Sequence, residues 1–364
     1  MPAESAAHPI RDELDRRIFQ ADQRVYTLTD VVSAAHFRGD AQDILAEIRD
    51  ALACERYGEE RSFELSQDEL QAAVDAYRYD RRIITAEETE TWLRERDLKL
   101  EDLVQYLERQ LWRDRLGPQL PMIRDRYTPS QEEVRSILWP ELILGGRLGL
   151  LALPLAWRVA AGAAAGGTDP LAETLEEARA DFFHRAGSRP DHLHAWLEQW
   201  SCSLEWFEEL IRMEAHYVRA RRGMLTAENC AAVLRARRLP LLRVAAEVAL
   251  FPSTSMANEA LLCVTQDGEA LQAVAERAGA SLARATSFME DIPEPLGQRL
   301  LSAAPGEFLP PMQGEEGFVV YRVLEKLEPD LSDPEVRARV EALLLNEAFG
   351  ALMGEHIRWI SPLE

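Results

Sequence analysis

The stretch "APGEFLPPMQGEEGFVVYRVLEK", residues 304–326, has the pattern of a closing β-hairpin. A Gly-Glu pair at 306–307 is typical of a turn, and the two prolines at 310–311 hold the chain extended. Gly317 then opens a run rich in β-branched and aromatic residues, which are the residue types that strands favour. The stretch therefore predicts a strand at 318–325 that completes a small sheet.

The residues before this hairpin alternate between strand and helix patterns. "LLRVAAEVALF" and "SLARATSFMED" read as strands, whereas "SMANEALLCV", "GEALQAVAERAG" and "EPLGQRLLSA" read as helices. The change from helical periodicity to β-rich runs comes after Pro240. We therefore predict one compact α+β domain at 241–329.

Most of residues 10–240 has helical periodicity instead. Thr85 to Glu88 forms a capping box, and Thr128-Pro129 predicts another helix start, with proline at the first helical position. The apolar segment 142–167 is interrupted by arginines and has only ten uncharged residues between them, well short of the roughly 20 that span a membrane. We expect a buried helix there, followed by a small-residue loop.

Two parts of this helical region resemble each other. At an offset of 104 residues Trp92 matches Trp196 and Leu100 matches Leu204, and at an offset of 105 Tyr77 matches Phe182. A duplicated helical module would explain the spacing, and two unrelated amphipathic helix pairs are the alternative. The predicted organisation is a helical module at 10–135, a second at 136–240, the α+β domain at 241–329, and a C-terminal helix at 330–360 that packs on the helical modules.

Composition limits the partners. The chain has 364 residues and a net charge of −22, from 63 acidic and 41 basic side chains. Such a charge repels nucleic acid and anionic membranes. Four cysteines without metal-site spacing, and an N-terminus without an apolar core segment, favour a cytoplasmic protein with free thiols. No motif indicates a cofactor or a metal site.

The ordered series of these segments resembles the SurA- and PpiC-type chaperone-isomerases. It is most similar to the PpiC-related proteins of peptide maturation systems. The segments that carry the resemblance are "SQDELQAAVDAYRYDRRI", "WLRERDLKLEDLVQYLER", "ANEALLCVTQDGEALQAVAERAG", the hairpin quoted above and the helix from Asp333. The resemblance covers roughly residues 40–360. It implies SurA-like helical modules, a parvulin-like domain and peptide binding.

Catalysis does not follow from this resemblance. Parvulins carry one histidine in the first strand and another in the last. Here those positions hold Ala246 or Glu247, and Val319. None of these is histidine, so we expect a catalytically degenerate domain that retains a peptide groove. Its candidate lining residues are Glu247, Met289, Leu300, Leu301, Phe308, Met312, Phe318 and Val319. Simple core packing is the alternative for the methionines, leucines and phenylalanines among them.

The preferred hypothesis is a non-catalytic, chaperone-like accessory protein in the maturation of a ribosomally synthesised peptide. Its partner would be a precursor peptide or an unfolded polypeptide, with peptide-modifying enzymes as further partners. One alternative is an enzyme, a weak parvulin-type peptidyl-prolyl isomerase with a non-histidine site. The other is a scaffold that joins maturation enzymes and binds little peptide itself.

Overall fold

The structure is a computed structural model that describes residues 15–186, 189–200 and 202–363. It is mainly helical and contains two small antiparallel sheets. The chain forms two compact units, one of residues up to Arg221 together with Ala348–Glu364, and one of Arg222–Glu347. Both predicted helical modules therefore contribute mainly to the first unit, and the predicted α+β domain lies inside the second.

The first unit begins with two strands and continues as a series of helices. Its elements are β1 (Arg17–Ala21), β2 (Arg24–Thr27), α1 (Leu28–Arg38), α2 (Gln42–Glu60), α3 (Gln67–Asp80), α4 (Ala86–Glu95), α5 (Leu100–Leu116), α6 (Leu120–Arg126), α7 (Gln131–Leu144), α8 (Leu148–Ala164), α9 (Ala172–Arg185), α10 (Leu193–Gln199), α11 (Leu204–Met224) and, at the other end of the chain, β7 (Ile357–Trp359).

The second unit holds the larger sheet. Its elements are α12 (Ala227–Ala236), β3 (Arg243–Phe251), α13 (Thr254–Thr265), α14 (Leu271–Ala278), β4 (Ser281–Phe288), α15 (Glu294–Ser302), β5 (Met312–Gln313), β6 (Phe318–Leu327) and the first part of α16 (Pro334–His356). The strands and helices expected in 241–329 are all present, and the strand expected at 318–325 extends to Leu327.

A three-stranded sheet in the first unit was not expected from the helical periodicity. Its strand order is β2-β1-β7, with antiparallel pairing throughout. Phe19 stacks on Tyr26 with ring centroids 4.6 Å apart and meets the edge of Trp359 at 5.3 Å. This aromatic cluster stabilises the pairing of β7 with the hairpin of β1 and β2.

Hydroxyl and carboxylate pairs set several helix starts, as the sequence indicates. Thr85 and Glu88 form the predicted capping box of α4. The start of α7 lies later than predicted, because Ser130 is the N-cap and forms a capping box with Glu133. Pro129 therefore precedes the helix, where its missing N–H costs no helical hydrogen bond.

Two buried ion pairs hold the helices of the first unit together. In one, Arg109 of α5 donates to Glu141 of α7 over 2.6 Å, and in the other Arg158 of α8 donates to Glu214 of α11 over 2.5 Å. The apolar segment expected as a buried helix is α8, which ends at Ala164. Among the described residues no single helix is long and apolar enough to cross a membrane, and only α7 and α8 together, bent by 91°, would qualify.

The larger sheet has the strand order β4-β3-β6-β5, and all neighbours are antiparallel. Helices α13 and α14 pack on one face through a cluster that includes Ala249, Phe251 and Val320. Helix α15 packs on the other face, where Leu300 joins a cluster with Val244. We call these the α13 face and the α15 face.

The first part of the C-terminal helix packs inside the second unit. Its stripe residues Val336 and Val340 share a cluster with Leu241 and Phe288, and with Cys230, which falls in the range predicted for the second helical module. Only the later part of the helix reaches the first unit's core, where Phe349 stacks between aromatic rings of α8 and α11. A continuous apolar stripe predicts that a helix is covered, but it does not identify the covering element.

Candidate functional site

Part of the α15 face of the larger sheet is an apolar surface that is partly exposed. Side chains alternate between the two faces along a strand, so Val248 and Leu250 lie on the face opposite Ala249 and Phe251. In the register of the sheet Val248 pairs with Tyr321 and Leu250 pairs with Val319. Met312 of β5 pairs with Val319 in turn. We call Val248, Leu250, Met312, Val319 and Tyr321 the apolar strip, and all five are half-buried.

The apolar strip borders the cluster beneath α15. Tyr321 packs against that cluster, as does Met289, whose terminal methyl lies close to Gly297 of α15. A Cβ at Gly297 would stand 3.3 Å from that methyl carbon, so the glycine makes room for Met289. The helix thus forms a wall at one end of the strip.

Tyr321 supplies the polar group of the strip. Burial raises the pKa of its phenol above the ordinary value, so the hydroxyl stays protonated at neutral pH. A neutral hydroxyl both donates and accepts hydrogen bonds. It can therefore bind a peptide amide or carbonyl, but it supplies no charge to a reaction.

The outer strand β4 lies beside the strip. It is the terminal strand of the sheet, so within the described chain one of its backbone edges has no partner strand. Ala283 and Ala285 are exposed and occupy the α15 face next to Val248 and Ala246. An unpaired edge of this kind can accept an additional strand.

Neither position expected for a parvulin histidine carries a titratable group on this face. Ala246 is buried in β3 and Val319 lies in the strip. Glu247, the other residue considered for the first position, lies on the α13 face. There its carboxylate accepts from Arg284 at 3.0 Å and from Arg322 at 3.4 Å.

The eight candidate lining residues do not all share one groove. Met289, Leu300, Met312 and Val319 belong to the α15 face. Glu247, Phe308 and Phe318 belong to the α13 face, where Phe308 and Phe318 pack against the cluster beneath α13 and α14. Leu301 is exposed. The separation follows from the period of two along each strand, and a role in peptide binding stays a prediction for the four residues on the α15 face.

Three residues of the strip escaped the sequence prediction, namely Val248, Leu250 and Tyr321. Their signal was present in the alternation of "RVAAEVALF" and "FVVYRV", in which every second residue shares a face. The pattern does not say which alternate set is covered by helices. That information needs the pairing of the strands and the positions of α13 and α15.

Comparison of the sequence with protein-family profiles and with curated proteins gives no match. Among solved structures the chain is similar to SurA-like and PrsA chaperones. PrsA of Bacillus cereus, a peptidylprolyl isomerase, has a TM-score of 0.33 at 10% identity, covering 63% of this chain and 86% of that one. PrsA of Bacillus anthracis has a TM-score of 0.29 at 11% identity, covering 55% of this chain and 94% of that one. A SurA-like chaperone of Campylobacter jejuni has a TM-score of 0.20 at 12% identity, covering 60% of this chain and 89% of that one.

Proposed function

We propose that this protein binds extended, apolar polypeptide segments without catalysing a reaction on them. The observation that carries the proposal is the half-exposed apolar strip beside the open edge of β4. A segment added along β4 would gain main-chain hydrogen bonds, and its alternate side chains would point to the α15 face. Because Ala283 and Ala285 are small, long apolar side chains of the segment would reach toward the strip.

The role that fits this binding mode is that of a chaperone-like accessory protein for a ribosomally synthesised precursor peptide. Such a peptide is extended and lacks a core of its own, so its apolar side chains are available. The net charge of −22 favours neutral or basic segments over acidic ones. The four cysteines are free, which supports the inference that the protein works in a reducing compartment, the cytoplasm.

A charge placed in the strip tests the proposal. Val248→Asp puts a carboxylate among the apolar side chains, so an extended apolar peptide labelled with a fluorophore should bind about tenfold or more weakly, because burying an unpaired charge is costly. Fluorescence anisotropy gives the affinity, and circular dichroism verifies the fold.

The matched control is Thr286→Asp. Thr286 is exposed on β4 and, by alternation, lies on the α13 face, so the same charge is added to the same sheet on its other side. We expect its affinity to stay close to that of the unchanged chain. Equal affinities for all three proteins, or no binding by the unchanged chain, would contradict the proposal.

The absence of peptide binding would favour the scaffold alternative. A pulldown with the modifying enzymes alone, compared with one using the precursor peptide alone, separates the two. Capture of the enzymes without the peptide would support the scaffold.

We further infer that the first unit contains a duplicated helical module, α3–α4–α5 and α9–α10–α11. Matched contacts support this. Trp92 meets the edge of Tyr77 at 6.3 Å, and Trp196 meets the edge of Phe182 at 5.1 Å. The helix connections also agree, since the Leu98 N–H donates to the Leu93 carbonyl and the Cys202 N–H to the Leu197 carbonyl, both over 2.9 Å.

A further inference from the structure

A second candidate binding site lies in the first unit, in a cavity between α1, α2 and α7. Its volume is about 60 Å³. The apolar part of its lining consists of Val32, Leu45, Val134 and Leu138. Leu45 and Leu138 are buried in the main core of this unit, so the cavity is an opening into packed structure rather than a surface depression.

An aromatic pair closes one side of the cavity. The imidazole of His36 stacks on Trp200 with ring centroids 3.3 Å apart and planes inclined by 22°. Burial, assisted by the positive charges of Arg49 and Arg135, lowers the pKa of His36 to about 3. The ring is therefore neutral at physiological pH, with one nitrogen as a donor and the other as an acceptor.

The charge of the lining is positive. Arg49 and Arg135 both line the cavity, and its described lining contains no aspartate or glutamate. No carboxylate of the described residues lies within ion-pair distance of Arg49. In a chain with 63 acidic and 41 basic side chains, the Arg49 guanidinium in a cavity whose described lining has no carboxylate selects a ligand that brings its own negative charge.

Size and lining restrict the rest of the ligand. An apolar cavity that binds benzene has about 150 Å³, so a cavity of about 60 Å³ accepts a few carbon atoms and not a ring system. The apolar side chains around it favour a branched aliphatic group over a polar one. The aliphatic group would lie against Leu45 and Val134, and the negative charge would lie at Arg49.

We propose that this cavity binds a carboxylate carried on a short, branched aliphatic group. Two sources offer that chemistry, namely a free short-chain acid and the C-terminus of a polypeptide that ends in valine or leucine. The neutral His36 ring adds a hydrogen-bond donor for the carboxylate without adding a further positive charge. The site is separate from the apolar strip and does not depend on the function proposed for it.

Calorimetric titration of the full chain tests the proposal with three ligands. These are isovalerate, the peptide N-acetyl-Gly-Gly-Val with a free carboxylate, and the same peptide with a C-terminal amide. We expect at least one of the two acids to bind and the amide to bind about tenfold or more weakly, since it lacks the charge that Arg49 pairs with.

Three substitutions test whether the acid binds in this cavity. Arg49→Gln removes the guanidinium from the half-exposed site and should weaken acid binding about tenfold. Arg126→Gln is the matched control, because Arg126 is an exposed arginine of the same unit whose partner is Glu60. It should leave the affinity unchanged. Val134→Phe fills the cavity and should abolish binding while Arg49 stays in place.

Binding of the peptide acid without isovalerate assigns the polypeptide C-terminus as the ligand, and binding of isovalerate alone assigns a free acid. Both results support the proposal. It is wrong if neither acid binds, if the amide binds as tightly as the acid, or if Arg49→Gln and Arg126→Gln have equal effects. The Arg49→Gln comparison stands even if Val134→Phe fails to fold.

Discussion

Gly317 lies where the turn between β5 and β6 passes close to the end of β3. Its φ is +154°, and a Cβ at this position would stand 2.4 Å from the carbonyl oxygen of Phe251. That oxygen belongs to the backbone of the central strand and cannot move aside. Gly317→Ala should therefore destabilise the second unit by about 1–3 kcal/mol, measured by urea unfolding.

A second glycine provides the control. Gly223 lies in the last turn of α11, in the short part of that helix that belongs to the second unit, and a Cβ there would meet nothing within 4 Å. Gly223→Ala should stabilise slightly, by about 0.5–1 kcal/mol, because alanine suits a helix better than glycine. If both substitutions change the free energy of unfolding by the same amount, the close approach to Phe251 does not explain why position 317 needs glycine.

Glu55 makes the stability of the first unit depend on pH. Burial raises its pKa from 4.5 to about 7, and Arg109, 4.0 Å away, offsets only part of that cost. Arg109 already donates to Glu141. The folded state thus holds the Glu55 proton more tightly than the unfolded chain, so this contribution to stability is lost as pH rises from about 4.5 through about 7.

Replacing Glu55 with a side chain that does not titrate should remove that loss of stability. Glu55→Gln should melt at a higher temperature than the unchanged chain at pH 8, with a smaller difference at pH 5. Thermal melts at both values measure this, and Glu64→Gln, at an exposed glutamate, is the control. A melting difference that is the same at both pH values would count against a raised pKa for Glu55.

At the scale of elements, the two helix triplets should respond alike to the loss of their tryptophans. Trp92 and Trp196 are each half-buried against one aromatic ring of the preceding helix. Trp92→Ala and Trp196→Ala should each cost about 2–4 kcal/mol, somewhat below a fully buried tryptophan. Chemical unfolding gives both values.

The matched controls are Leu100→Ala and Leu204→Ala. These leucines begin α5 and α11 and are similarly exposed, at 53% and 56%. Their loss should cost little, since exposed apolar side chains contribute little burial. A large cost at one tryptophan and a small cost at the other would argue against duplication.

The elements differ in how well the sequence predicts them. The strands of the larger sheet follow from period-two runs, and the helix starts follow from Ser and Thr caps. The sheet β2-β1-β7 was missed, because its strands have only three to five residues. Its third strand lies more than 330 residues away along the chain, and no local pattern reports a pairing of that kind.

The candidate site, like the fold, follows from the sequence only in part. The resemblance to parvulins predicts that Val319 and Met312 both line the groove, and both belong to the strip. It does not place Phe308 and Phe318 on the other face, because the direction of a side chain depends on strand register. That register contains an irregularity between Ala245 and Ala246, which residue types do not predict.

At the scale of the whole molecule, the chain combines a large helical unit, which has its own cavity, with a small sheet unit that carries an apolar strip. Helix α16 contributes to both units, with Val340 in the second and Phe349 in the first. Neither candidate site contains a nucleophile paired with a base among the described residues.

The last prediction concerns activity. Rotation about an X-Pro bond crosses a barrier of about 18–20 kcal/mol, and the strip offers only the Tyr321 hydroxyl as a polar group on the face that carries Ala246 and Val319. We expect a proline-containing tetrapeptide to isomerise at its uncatalysed rate in the presence of the full chain. The same preparation should bind the labelled apolar peptide, which shows that it is folded, and an active isomerase in the same buffer shows that the assay works. An acceleration that Tyr321→Phe abolishes would instead identify the strip as an active site with tyrosine as its functional group.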